Sequence, residues 1–233
     1  MNVSTAQMNY GKLKNRVETG EQIVYYKRGL EELSLNITNA CPNSCVFCIR
    51  DRDAGWGVSN LYLSRDPSVD EILSEFDNES KRVTEGGIKL KRVKICGYGE
   101  PVLRFNDLFP IVEHVKGKHP NVEIQLATTG WPYFRYISED SAPIKKLREA
   151  GMSHIFLSLN ATDNDRYKRV IKPGIDDIDE DAFSDALKFA EAVRDADYDV
   201  TLGFVRLNGI DENDIRRLSN RLGIKYRMRD FEN

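Results

Sequence analysis

Cysteine and histidine are scarce in this chain, at four and three of 233 residues. No run of about 18 apolar residues occurs, so no membrane-spanning helix is expected. Met1 to Lys14 is polar and lacks the apolar centre of a secretory signal. No internal repeat or low-complexity tract is visible. Positive charge is not in excess either, with a formal net charge of −3. Proteins that grip phosphate backbones are usually basic, so nucleic acid is not expected as a partner. The local cluster Lys89, Lys91, Arg92 and Lys94 reads as solvated side chains on a strand edge. These absences lead to an expected cytoplasmic location with no membrane partner. There disulfides are rare, and crowded cysteines serve metals or redox chemistry.

What is present suits one packed domain: 40% apolar and 30% charged residues. Residues 1–31 are polar and weakly patterned and read as an N-terminal extension; residues 32–233 form the core domain. Strand and helix patterns alternate through that core. Leu33, Leu35 and Ile37 recur at period two. Ser68 and Glu71 make a capping box ahead of an apolar stripe of Val69, Ile72, Leu73 and Phe76. Further strands are expected over about 92–96, 122–128, 155–159, 200–207 and 225–229. Helices are expected over about 107–116, from Ser141 to the stop at Gly151, over about 180–195, and after Asp211. The class is α/β. Six strand-then-helix units, less the last helix, imply parallel strands in a partial barrel or an open sheet. In either, active groups lie beyond the carboxyl ends of the strands.

The loop after the first strand holds Cys41-Pro-Asn-Ser-Cys45-Val-Phe-Cys48, a C-x3-C-x2-C pattern. Thiolates are soft ligands that select iron–sulfur clusters or zinc. Three ligands hold three corners of a four-iron cluster and leave one iron open, whereas an electron-transfer ferredoxin supplies a fourth cysteine. Zinc would need a fourth ligand from Cys96, His114, His119 or His154. The spacing favours iron–sulfur and leaves zinc open. Cys96, on a strand, reads as a buried small apolar residue. After the second strand comes Gly97-Tyr98-Gly99-Glu100-Pro101, whose glycines allow a close backbone approach.

Together these segments resemble the radical S-adenosylmethionine (SAM) superfamily. Leu35-Asn-Ile-Thr-Asn39, CPNSCVFCIRD, Asn60-Leu-Tyr-Leu63, the Gly97–Pro101 turn and Ser158-Leu-Asn-Ala161 look like its TatD-associated branch, whose name assigns no reaction. The resemblance implies a (β/α)6 partial TIM barrel. It implies a [4Fe–4S] cluster on Cys41, Cys45 and Cys48, the catalytic and metal-binding residues, with SAM on the open iron. It also implies cofactor contacts from Phe47, Gly97, Tyr98, Gly99, Glu100, Thr129, Ser158, Asn160 and the segment Val205–Leu207 with Arg206. Reductive cleavage of SAM to a 5′-deoxyadenosyl radical, hydrogen abstraction from a small-molecule or nucleotide-like substrate, and a one-electron donor such as flavodoxin or ferredoxin complete the expectation. Arg50, Arg104, Asn160, Lys172, Arg206 and Arg229 are candidates to hold the substrate. With the chain ending at Asn233, the barrel mouth is expected to be covered by loop 49–66 with Trp56 and Gly57, by a second copy in a homodimer, or by a macromolecular substrate. The other readings are an enzyme resembling 7-carboxy-7-deazaguanine synthase, a non-catalytic iron–sulfur redox protein and a zinc protein.

Overall fold

Residues 21–27, 29–51, 61–174 and 181–231 are described by the computed structural model. Seven strands form one sheet in chain order: β1 (Val24–Lys27), β2 (Glu32–Leu35), β3 (Arg92–Ile95), β4 (Glu123–Thr128), β5 (His154–Ser158), β6 (Asp199–Arg206) and β7 (Lys225–Asp230). Strands β2 to β7 are mutually parallel. Their crossovers carry α1 (Val69–Glu85), α2 (Leu108–Lys118), α3 (Ala142–Ala150), α4 (Asn164–Val170), α5 (Ala182–Asp195) and α6 (Glu212–Leu222). This is the expected (β/α)6 arrangement. Trp56, Gly57 and half of the anticipated lid, residues 52–60, fall outside the described residues.

Local chemistry explains the helix ends. The Ser68 hydroxyl accepts from the Glu71 amide, and the Glu71 carboxylate accepts from the Ser68 amide. Asp181 and Asp211 cap α5 and α6 in the same sense. Gly223 ends α6 at φ 65°, where a side chain would be strained.

Two elements escape the sequence patterns. Strand β1 lies within the segment read as an extension and pairs antiparallel with β2 along the sheet edge. Only Val24 and Tyr25 of its four residues are buried, too few to show a period. Helix α4 has seven residues, also too short for a legible stripe.

The two faces of the sheet differ sharply. On the helix side, Val93, Ile95, Ile124, Leu126, Ile155 and Leu157 are fully enclosed against the apolar stripes of the helices. Burying each such side chain contributes about 1.5–3 kcal/mol. The other face, the lumen of the partial barrel, is polar. Near the amino ends each strand gives one ionisable residue to a continuous ladder. Lys27 lies 3.5 Å from Glu32, and Arg92 bridges Glu32 at 3.5 Å and Glu123 at 2.8 Å. His154 Nδ1 lies 3.3 Å from Glu123 and 3.9 Å from Asp199, which pairs with Lys225 at 2.5 Å. Glu32, the buried carboxylate of the ladder, is met by Lys27 on one side and Arg92 on the other. The strand-edge reading of the basic cluster is therefore corrected. β3 is an interior strand, and the alternation turns Arg92 and Lys94 into the lumen.

Burial holds the His154 imidazole below its ordinary value of 6.5, although Asp199 and Glu123 pull it upward. A lowered histidine means that the unfolded chain takes up the proton first, so stability is complete above about pH 6.5 and falls with acidification. Chemical denaturation from pH 7 to pH 5 is expected to show a falling midpoint, with a shallower dependence in His154→Gln; an unchanged slope in that variant would contradict the burial argument.

Candidate active site

The segment leaving β2 is tied down by its own polar side chains. The Asn36 amide donates to the Leu61 carbonyl at 2.6 Å, and Asn39 exchanges bonds with the Leu63 carbonyl and amide. The Thr38 hydroxyl donates to Asp66 at 2.9 Å. Arg104 reaches the Ile37 and Pro67 carbonyls at 2.6 and 2.8 Å and pairs with Asp107. These bonds satisfy buried backbone groups that no strand reaches. They also commit Arg104 to structure.

The cysteine loop follows and docks on the segment after α4. Ser44 N–H donates to the Ile171 and Lys172 carbonyls, Val46 N–H to Val170, and Gly174 N–H to Pro42. Arg50 straps the loop from inside: its Nε lies 3.4 Å from Cys48 Sγ, and its other nitrogens reach the Asn39 and Asn43 carbonyls. Asn43 Nδ2 lies 3.7 Å from Cys41 Sγ and 3.3 Å from Thr129 Oγ1, while its Oδ1 accepts from the Trp131 indole at 2.9 Å. Burial and the Glu100 carboxylate push the Cys41 thiol up to about 12, against the pull of Arg50. Burial and the two neighbouring thiols raise Cys45 further. The pocket alone thus disfavours free thiolates and leaves their charge to be balanced by what they bind.

The Gly97–Pro101 turn presses against that loop. A Cβ on Gly99 would lie 2.3 Å from the Thr38 carbonyl oxygen and 2.7 Å from that of Ala40, and Glu100 N–H donates to Ala40 at 2.7 Å. Tyr98 packs outward with Tyr25 and Leu61. Glu100 is 3% exposed. Its carboxylate accepts from the Thr128 hydroxyl at 2.5 Å, the Val102 amide at 3.2 Å, the Thr129 amide at 2.8 Å and the Thr129 hydroxyl at 2.6 Å. Burial still raises its pKa. Glu100 therefore locks the turn to the end of β4 and, through Thr129, to Asn43.

The remaining predicted residues divide. Phe47 is half-buried and packs on the main core. Ser158 is half-buried at the carboxyl end of β5, on the lumen face. Asn160 adopts φ 55°, and its Oδ1 accepts from Val205 N–H at 2.9 Å, so only its Nδ2 remains for a ligand. Thr129 spends its hydroxyl on Glu100 and Asn43. Arg206 pairs with Asp230 at 3.0 Å, and alternation along β6 puts it on the helix side. Arg229 lies half-buried on the lumen side of β7, and Lys172 serves through its carbonyl. Cys96 is half-buried rather than enclosed, with Sγ 3.7 Å from the Tyr25 hydroxyl. The sequence offers no signal for Tyr167 or for the docking role of segment 170–174, of which only Lys172 stands among the substrate candidates; Asn43 carries a signal because it lies inside the motif.

Tyr167 gives the test of fit. Its ring is fully enclosed, its hydroxyl has no hydrogen-bond partner among the described residues, and it lies in the field of Cys45, Glu100 and Cys41. A buried hydroxyl without an acceptor is costly, so an acceptor supplied by a bound group suits it. The candidate fourth zinc ligands lie elsewhere. His114 bonds Asp77, His119 bonds Ser80, His154 sits in the ladder and Cys96 bonds Tyr25. Among the described residues no three His, Cys, Asp or Glu side chains, the loop thiols included, gather around a single ion. Three cysteines backed by Asn43 and Arg50 at the carboxyl end of the strands fit a multi-iron cluster, and the family description "Radical SAM superfamily" matches residues 35–222. The chain belongs to the radical SAM superfamily. It is an enzyme, with a [4Fe–4S] cluster and SAM as cofactors.

Curated relatives within the superfamily include the GTP 3′,8-cyclase of Lactiplantibacillus plantarum, 28% identical over 64% of this chain and 39% of that one. The enzyme of the same name from Desulforamulus reducens is 23% identical over 87% of this chain and 56% of its own. The chain thus spans about half or less of the length of these relatives. Among solved structures, methylornithine synthase (PylB) has a TM-score of 0.59 at 18% identity, covering 86% of this chain and 53% of that one. Streptococcus suis SuiB bound to its precursor peptide SuiA has 0.61 at 13% identity, covering 86% and 39%. These two likenesses concern the fold. Among the described residues no helix is long and apolar enough to cross a membrane.

Two substitutions probe the radical SAM site. Glu100→Gln presents one acceptor oxygen in place of two and turns an NH2 toward threonine donors; a loss of about 1–3 kcal/mol is expected in urea denaturation. Gly99→Ala forces backbone apart at a cost of about 1–3 kcal/mol. Iron retained per chain after reconstitution should fall in Gly99→Ala, and full retention would show that the turn does not shape the cysteine loop.

Proposed function

We propose that this chain cleaves SAM reductively at the cluster and directs the resulting radical at a small-molecule or nucleotide-like substrate in the barrel lumen. The single observation behind the reading is the docking of the three-cysteine loop, through Asn43, Thr129 and Glu100, against the glycine turn. When bound, cluster and cofactor supply one-electron cleavage to methionine and a 5′-deoxyadenosyl radical. The residues of the chain do the placing. Cys41, Cys45 and Cys48 hold the iron; the backbone of the Gly97–Gly99 turn receives the methionine end of SAM. Ser158 and the Asn160 Nδ2 are the lumen-side polar groups for the ribose. Phe47 lines the adenine side, with Val205 beyond it.

An external one-electron donor such as flavodoxin or ferredoxin is part of the proposal, and the exposed Ser44 and Val46 offer it a short approach to the cysteines. The curated relatives are named for GTP, which supports a nucleotide-like substrate.

Anaerobic reconstitution followed by dithionite and SAM is expected to yield 5′-deoxyadenosine from the wild type and none from Cys41→Ala, Cys45→Ala or Cys48→Ala. A brown wild-type protein that forms none, with either dithionite or flavodoxin as donor, sinks the catalytic reading.

A further inference from the structure

Three lumen cations stand outside the ion-pair ladder, Lys94, Arg227 and Arg229, of which Arg229 bonds the Asp230 carbonyl at 3.5 Å. Lys94 is half-buried on β3, beyond Arg92 toward the carboxyl ends. Its partners in register on β2 and β4, Ser34 and Gln125, are uncharged. It forms no ion pair among the described residues, and its Nζ lies 5.6 Å from the centroid of the Phe156 ring. The Phe156 ring in turn lies on the backbone of β6: a Cβ on Gly203 would sit 2.5 Å from Cε1 and Cζ. Only glycine lets the ring rest there. Gly203 pairs in register with Arg227 of β7. Tyr226 and Met228 pack on the core, so alternation turns Arg227 to the lumen, where it is exposed and forms no ion pair among the described residues.

The lumen therefore presents a half-buried aromatic ring resting on glycine, with the Lys94 ammonium 5.6 Å from its centroid and Arg227 of β7 in register with that glycine. The ladder below balances its own charges, so its carboxylates do not neutralise these two. Positive charge without an ion-pair partner attracts an anion, and an aromatic ring beside it offers an apolar contact surface. We propose that this face is the substrate-binding site and that the substrate is a flat organic anion. Its ring lies against Phe156, and its carboxylate or phosphate pairs with Lys94 and Arg227. The proposal rests on the lumen being the substrate chamber, as in the function proposed above.

Calorimetric titration of the reconstituted, SAM-loaded protein with orotate, GMP, guanosine and inorganic phosphate tests it. Orotate or GMP is expected to bind at least about tenfold more tightly than guanosine or phosphate, the worth of one well-placed ion pair. A preference for orotate assigns a carboxylate, and a preference for GMP a phosphate. Lys94→Ala and Phe156→Ala should each weaken binding about tenfold, whereas Lys94→Arg keeps the charge, retains binding and shows the fold intact. Neither anion exceeding guanosine, or binding that survives Lys94→Ala, overturns the proposal. The titration does not depend on SAM cleavage, so absence of 5′-deoxyadenosine in the same preparation counts against the catalytic reading alone.

Discussion

The buried carboxylate of Glu100 is the interaction on which the site depends. Removing a charge from water costs several kcal/mol unless hydrogen bonds replace the lost hydration. Here Thr128, Thr129 and the Val102 amide supply four donors. Because those donors come from the end of β4 and from the turn itself, satisfying one carboxylate fixes two loops at once. Thr129 passes the constraint to Asn43, and Asn43 passes it to Cys41. The glycines matter for the same reason: the turn reaches this position only where a side chain would collide with the carbonyls of Thr38 and Ala40.

Division of the sheet into an apolar and a polar face governs the rest. Strand alternation sends Val93 and Ile95 to the helices and Arg92 and Lys94 to the lumen. The apolar half drives folding. The polar half would be a liability in a closed core, and the ladder from Lys27 to Lys225 meets the cost by giving each charge an opposite neighbour. Lys94 and Arg227 remain outside that balance, on the side of the lumen nearer the carboxyl ends of the strands. Stability and recognition are thus assigned to different layers of one surface.

Much of the fold was legible because its signals are local. The capping box at Ser68, the stop at Gly151 and the period-two apolar runs needed no partner to be read. Strand β1 and helix α4 were not, being short and stabilised mainly by what they dock against. The strand-edge reading of Lys89 to Lys94 erred because edge and interior strands share the same alternation, and only pairing on both sides distinguishes them. Thr129, Asn160 and Arg206 show a similar limit. Thr129 and Asn160 lie past strand ends and Arg206 is the last residue of β6, but their hydrogen-bond partners, Glu100, Val205 and Asp230, lie 24 to 45 residues away in the chain.

The sequence by itself determined the ligand chemistry and the order of elements. Thiolate spacing, glycine placement and apolar periodicity act over a few residues, where chain connectivity alone sets the geometry. Tertiary structure alone decided which polar groups are spent on the scaffold and which remain for a ligand. Arg50 and Arg104 went to the scaffold, Lys94 and Arg227 formed no ion pair among the described residues, and the Tyr167 hydroxyl was buried without a hydrogen-bond partner among them. The reason is that a polar side chain's role depends on whether a partner reaches it, and in a parallel barrel those partners arrive from strands far apart in the chain.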